Sequence, residues 1–218
     1  MVAGHLYHKA FVEMALVKIK DDTSSRRIVH FWEEVMDLRN LFKFEFFYTN
    51  KSNFSTEIEE ELNRFNTNWR AILEDPQKDV SEILTKQSLF ISRALLLTYI
   101  EADKVVCSAL NNWDPEDLFT EEEFLELCLF KGKELHWQGA ITRLDSVSKP
   151  FLSNAYRFAE NAGLVPKDKK IHSNNLESWM RQLDDLTERL NYLKELETKP
   201  DSNGLSVSNA PTILVPEA

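Results

Sequence analysis

The sequence predicts an all-α protein: an irregular bundle of about six or seven helices followed by a disordered C-terminal tail. Three observations carry this prediction. Apolar residues recur every three or four positions through most of the chain, the period of a helix with one buried face. Glycine is scarce, with five in 218 residues, and the seven prolines lie mainly between the periodic segments, which leaves little from which to build the turns of a sheet. Hydrophobic residues make up 43% of the chain and aromatics 11%, enough for one core of ordinary domain size.

The first helix is predicted over residues 6–20, with Phe11, Ala15 and Ile19 on one side. Residues 21–25, Asp-Asp-Thr-Ser-Ser, break it and offer caps for the next helix, 26–41. There Phe31, Val35, Leu38 and Phe42 fall at spacings of four, three and four. This helix runs into a dense aromatic cluster, six aromatics between Phe31 and Phe47, in which Lys43 and Glu45 alternate with phenylalanines as in a half-buried extended segment. After a turn at 49–53, a third helix carries Phe54, Ile58, Leu62 and Phe65, with Thr56 and Glu59 as a capping box, and ends near Asn66. Trp69 and Ile72 extend its apolar side past a short break, and Pro76 closes this part.

Residues 80–111 form the longest pattern and predict one buried central helix, apolar on more than one face around Leu95, Leu96 and Leu97. A loop at 111–119 leads to a second capping box, Thr120 with Glu123, and a helix carrying Phe124, Leu127, Cys128 and Leu135. A connector at 141–147 precedes a helix at 148–162, with Pro150 in its first turn and Gly163 as its stop. Leu176, Trp179, Leu183, Leu186, Leu190, Leu193 and Leu196 approach a heptad seam. At about three heptads this seam is marginal alone, so it should dock on the helical body or on a partner. The chain therefore divides into a helical domain, 1–198, and a Pro-, Ser- and Asn-rich tail, 199–218, expected to be disordered.

A net charge of −10, from 26 basic and 36 acidic residues, disfavours a nucleic-acid binder, which needs clustered Lys and Arg. Cys107 and Cys128 sit in apolar helical patterns without CxxC spacing, as reduced core thiols of a cytosolic protein do. The most apolar run, 94–100, is followed by Glu101 and falls far short of the roughly 18 residues of a membrane span. The N-terminus lacks the layout of a signal peptide, and it enters helix so directly that it reads as a region of a longer chain.

Catalytic and metal chemistry find little support. His5 and His8 could share one turn around a metal, but no third ligand is placed. His8 with Glu13, and His172 with Glu177, have HxxxxE spacing, reminiscent of a dyad in which a carboxylate orients an imidazole base. No glycine loop or oxyanion donor lies near either, and chance spacing is the better explanation. His30 and His136 stand in helical patterns. There is no GxSxG elbow, GxGxxG or phosphate loop, and the glutamate runs at 57–61 and 121–123 are expected to solvate helix faces. No catalytic, cofactor-binding or metal residue is assigned. The aromatic cluster could line an acyl groove, but aromatics at helical spacing favour core packing.

Several short segments, in order, do carry a resemblance. They are 11–16 (FVEMAL), Phe31-Trp32 to Arg39, Leu41-Phe42-Lys43-Phe44-Glu45-Phe46, Asn68-Trp69, Gly132, Gln138-Gly139, Ser146-Val147-Ser148-Lys149 to Leu152, and Ala159-Glu160-Asn161 to Gly163-Leu164. Together they resemble the C-terminal region of bacterial membrane-associated glycerol-3-phosphate acyltransferases. The resemblance implies an enzyme of phospholipid biosynthesis that moves an acyl group from acyl-CoA or acyl carrier protein to the first hydroxyl of glycerol 3-phosphate. It implies a peripheral place on the cytoplasmic side of the membrane. In that family a histidine of an HxxxxD motif is the general base; this sequence has no HxxxxD, GxxFIRR-like or FPEGTRS-like element. The chain is thus expected to pack on an upstream acyltransferase catalytic domain and to be inactive alone. Phe31, Trp32, Leu41, Phe42, Phe44, Phe46 and Trp69 are expected to be its structural or interdomain anchors. The alternative is a stand-alone helical interaction or regulatory protein that uses the 176–196 seam.

Overall fold

A computed structural model describes residues 6–87, 89–113, 120–165 and 173–198. The described residues form nine α-helices: α1 (Leu6–Lys18), α2 (Arg27–Leu41), α3 (Lys51–Phe65), α4 (Trp69–Glu74), α5 (Ser81–Leu84), α6 (Ser92–Asn111), α7 (Glu121–Trp137), α8 (Lys149–Asn161) and α9 (Ser173–Thr198). A 3-10 turn at Leu144–Ser146 lies between α7 and α8. No strand occurs among the described residues, in agreement with the all-α expectation. The expected tail at 199–218 lies outside them.

Helix α6 is the axis, with α1, α7, α8 and α9 packed around it. Leu96, Leu97, Ile100, Val105, Val106 and Leu110 are all buried, as a helix with neighbours on several sides requires. The seam of α9 is taken up by this body: Leu176, Trp179, Leu183, Leu186, Leu190 and Leu193 are buried where α9 meets α6 and α1. On the far side α1 carries α2 and α3, and α2 carries α4.

The count exceeds six or seven because the pattern breaks more often than its period shows. The single helix expected over 80–111 is two, α5 and α6, because the backbone N–H groups at the start of α6 bond to distant acids. Ile91 N and Ser92 N donate to Glu13 Oε2 of α1 at 3.0 and 2.8 Å, and Phe90 N donates to Glu197 Oε1 of α9 at 2.7 Å. Helix α3 is capped by Asn50, whose Oδ1 accepts from Asn53 N at 2.9 Å. Thr56 of the expected box lies inside the helix and donates to Ser52 O at 3.2 Å. The second expected box is present, with Thr120 N donating to Glu123 Oε2 at 2.8 Å and Glu123 N to Thr120 Oγ1 at 3.3 Å. Pro150 lies in the first turn of α8, and Gly163 takes φ 70° just past its end.

A charged side chain lies at the centre of the α2–α4 corner. Arg27, 2% exposed, donates to the carbonyls of Leu73 (3.2 Å), Asp22 (3.3 Å) and Lys78 (3.0 Å), and to those of Ile72 and Asp75. It collects carbonyls that the end of α4 and its following turn leave without helical partners, and a guanidinium has enough donors for all of them. Cys107 and Cys128 are buried and free, and burial pushes both thiols up to about 12.

Gly132 sets the approach of α7 to the connector. A Cβ there would stand 2.6 Å from Val147 Cγ1. Gly132→Ala should destabilise the chain by about 1–3 kcal/mol through this overlap, although alanine is the better helix former. Urea denaturation checks it: Val147→Ala in the same chain should restore most of the loss, and a G132A single variant as stable as the parent would refute the close approach.

Candidate functional site at the aromatic hinge

Helix α2 ends at Leu41, and residues 42–45 turn back on themselves instead of extending. Glu45 N donates to Phe42 O at 3.2 Å and Phe46 N to the same oxygen at 3.3 Å. The Phe-Lys-Phe-Glu-Phe alternation is therefore not a strand. A turn brings Phe42 and Phe46 together, 6.2 Å between centroids, and both meet Phe11 of α1 and Tyr99 of α6. Tyr99 in turn meets Phe151 of α8 edge-on at 5.4 Å. Tyr48 Oη donates to Phe42 O at 3.0 Å and Tyr7 Oη to Phe47 O at 3.3 Å, which closes the hinge onto α1.

Of the expected anchors, Phe31, Leu41, Phe42 and Trp69 are buried, while Trp32, Phe44 and Phe46 are half-buried against the same core. Phe47, which follows them, is fully exposed. Among the described residues the rings of the cluster pack against one another, as core packing requires.

The segments that carry the resemblance converge beside this hinge. Asn154 Nδ2 of α8 donates to Phe44 O at 3.2 Å, and Lys43 Nζ donates to Asn161 Oδ1 at the end of α8. Between them is an open cleft of about 420 Å³ lined by Phe44, Arg157, Glu160 and Asn161. The Arg157 guanidinium lies 4.6 Å from the Phe44 ring centroid, and Lys43 Nζ lies 5.2 Å from Phe44 and 5.6 Å from Phe158. On the inner side of the hinge is Glu45. Burial raises its carboxyl to about 7, against the pull of the Glu45 and Phe44 backbone N–H groups and of Arg157. Asp103 of α6 is held well above the carboxylate range by burial and then by Glu45. Burial also raises the Tyr48 and Tyr99 phenols.

His8 forms no dyad with Glu13, the acid that the spacing suggested for it. His8 Nε2 lies 3.1 Å from Glu57 Oε2, while Glu13 turns away to the start of α6. Five residues apart on one helix, the two side chains leave on different faces. His30 Nδ1 and Asp22 Oδ2 are 2.6 Å apart, and hydrogen bonds from His30 and the Ser24 backbone lower Asp22 to about 2. His5 and His172 lie outside the described residues. Among those residues no three His, Cys, Asp or Glu side chains are placed to hold a metal.

One surface feature was not legible beforehand. Leu127, Phe130 and Trp137, at 37%, 70% and 83% exposure, follow one face of α7. A groove of about 310 Å³ runs beside the first two, lined also by Ala109, Asn112, Lys131 and Glu134. No described helix is long and apolar enough to cross a membrane.

The described residues thus define a helical body with an aromatic joint and an uncovered apolar stripe, the makings of a packing region. Residues 1–168 match the glycerol-3-phosphate acyltransferase C-terminal region family, and the chain belongs to it. Relatives from Mycobacterium bovis and two strains of Mycobacterium tuberculosis, each provisionally named acyltransferase plsB1, are 25% identical over 194 residues, 88% of this chain. The chain spans 31% of the length of these relatives. No solved structure matches it.

The hinge has a pH signature. Glu45 ordinarily titrates near 4.5 and here near 7, so the folded chain holds this proton between those values. Its contribution is complete below about 4.5 and is lost as pH rises towards 7. Urea denaturation at both ends of this window should show stability falling as pH rises. Glu45→Gln should reduce that fall by on the order of 1–2 kcal/mol, and an unchanged slope would refute the burial of Glu45.

Proposed function

We propose that the chain is the C-terminal helical body of a glycerol-3-phosphate 1-O-acyltransferase and works by packing on the catalytic part of that enzyme. The reaction is acyl transfer to the first hydroxyl of glycerol 3-phosphate, with acyl-CoA or acyl carrier protein as donor, peripherally at the cytoplasmic side of the membrane. The HxxxxD base and its aspartate are absent from all 218 residues, so the reacting groups are assigned to another part of the polypeptide.

The observation that carries the docking role is the apolar stripe of α7. A contiguous exposed face with a tryptophan and a phenylalanine is the kind of surface that a partner covers. The relatives are about three times as long as the stretch they share with this chain, which offers the catalytic part as the occupant. The buried residues Phe31, Leu41, Phe42 and Trp69 act as structural anchors within the helical body. The seam of α9 is less suited to a partner, because its leucines already lie against α6 and α1.

The experiment is an acyl-transfer assay on the full-length enzyme carrying Phe130→Asp and Trp137→Asp. Turnover should fall about tenfold or more, the equivalent of some 1.4 kcal/mol of lost interaction. The isolated chain with the same changes should melt as the parent does, since both side chains are exposed. Full activity in the double variant would refute docking through α7. Turnover by the isolated chain, lost on His8→Ala, would refute the assignment of chemistry elsewhere.

A further inference from the structure

Helix α7 is apolar on two sides. Phe124, Leu125, Cys128 and Gly132 are buried on one, while Leu127, Phe130 and Trp137 stand exposed on the other. At about 100° per residue the two sets fall on nearly opposite faces of the helix. A helix with apolar residues on both sides is made to be covered on both, and the described residues cover only one.

The form of the cover follows from the form of the stripe. Positions 127, 130, 134 and 137 are spaced three, four and three, and the groove beside the first three has Ala109 and Asn112, at the end of α6, as its other wall. Along the stripe the backbone of α7 is bonded within the helix, so it has no edge to offer an incoming strand. An extended segment laid there would bury its own N–H and C=O groups unpaired, whereas a helix brings them already paired. From Leu127 to Trp137 the stripe is about 15 Å long, which a partner helix covers with about ten residues.

Charge sets the direction. Glu122 and Glu126 at the start of α7, and Lys133 towards its end, are exposed along one flank of the stripe, with Lys149 paired to Glu126 at 2.6 Å. A partner with basic residues over the start of α7 complements this flank, and a helix carries basic residues best at its C-terminus. The two helices then run antiparallel.

Area sets the tether. Phe130 and Trp137 together leave on the order of 300 Å² of side-chain surface open. That is well under the roughly 800 Å² per partner of a stable complex between free chains. A patch of this size holds free chains weakly and holds two parts of one polypeptide well, because a tether raises their effective concentration.

We propose that the occupant of the α7 groove is an amphipathic helix of the catalytic part, antiparallel to α7. Its apolar side chains enter the groove at three- and four-residue spacing, and Lys or Arg at its C-terminal end lies over Glu122. The inference rests on the docking role proposed above and adds the shape, direction and charge of what docks.

The test uses the full-length enzyme with the photo-cross-linker p-benzoylphenylalanine in place of Phe130 or of Trp137, and mass spectrometry to identify the residues linked. The two positions are about 10 Å apart along α7. On an antiparallel helix the residue linked from 130 lies about seven positions after the one linked from 137, against about three on an extended segment. The seven-residue step, within the catalytic part, is the expected result. Glu122→Lys should lower the yield from position 130 about threefold at low salt, while Lys51→Glu, an exposed change on α3, leaves it unchanged. A three-residue step, the opposite order, or a yield indifferent to Glu122→Lys overturns the antiparallel basic helix and leaves docking on the catalytic part standing. Links to a second copy, to lipid or to residues 199–218, or no link from either position, overturn both.

Discussion

The residue that precedes helix α6 is Ile91, whose side chain has nothing with which to cap, so the first N–H groups must find acceptors elsewhere. They find the carboxylate of Glu13, wholly buried on α1, which accepts from Ile91 N, Ser92 N and the Ser92 hydroxyl, with Lys9 Nζ at 3.9 Å. Burial raises this carboxyl to about 7 even though the bonds from Ser92 and Ile91 and the charge of Lys9 pull it down. The same device recurs farther along α6. Buried Glu101 accepts from Thr142 N at 2.7 Å, Thr142 Oγ1 at 2.8 Å and Arg143 N at 2.8 Å, and so fixes the connector before α8. Because α1, α7, α8 and α9 all pack on α6, two buried acids set the start of the axis and the path of the chain around it.

This division explains what could be read from the sequence. Helical periods are local, so α1, α2, α8 and the α9 seam are visible as stripes of apolar residues. The break before α6 is not, because the acid that stabilises it lies 79 residues away from Ser92 and no short pattern joins them. Arg27 is hidden for the same reason: its acceptors lie up to 51 residues on. The hinge misleads differently. Five residues alternating between phenylalanine and charge fit a strand, but they also fit a turn that stacks Phe42 near Phe46 and sends Lys43 and Glu45 to different surroundings. Which apolar face remains bare is likewise a tertiary fact. Phe124 and Cys128 of α7 are buried while Phe130 and Trp137 are not, although all four are ordinary hydrophobic positions in the sequence.

The segments that carry the family resemblance meet one another more than they meet solvent chemistry. Gly132 gives way to Val147, and Lys43 reaches Asn161. Each contact joins a part of the chain to another that is 15 to 118 residues distant. A region recognised by such joints is recognised by its packing, because a substitution on one side must be matched on the other. This accounts for a family match that extends over residues 1–168 without a general base of the HxxxxD kind in the sequence.

The hinge therefore does two jobs with different faces. Its inner face, Phe42 and Phe46, joins α1 to α6 through Phe11 and Tyr99, with the protonatable Glu45 beside it. Its outer face, Lys43 and Phe44 against Arg157 and Asn161, is polar, open and positively charged in a chain of net charge −10. Aromatic rings link the two: Phe44 is half-buried against the core and also supports both cations, so the cations are positioned by the same packing that anchors the helices. Loosening the inner face would thus disturb the cleft without touching any group that lines it. Removing the charge of Arg157 would alter the cleft and leave the core packed. That asymmetry separates the packing of the core from the charge of the cleft within one short segment.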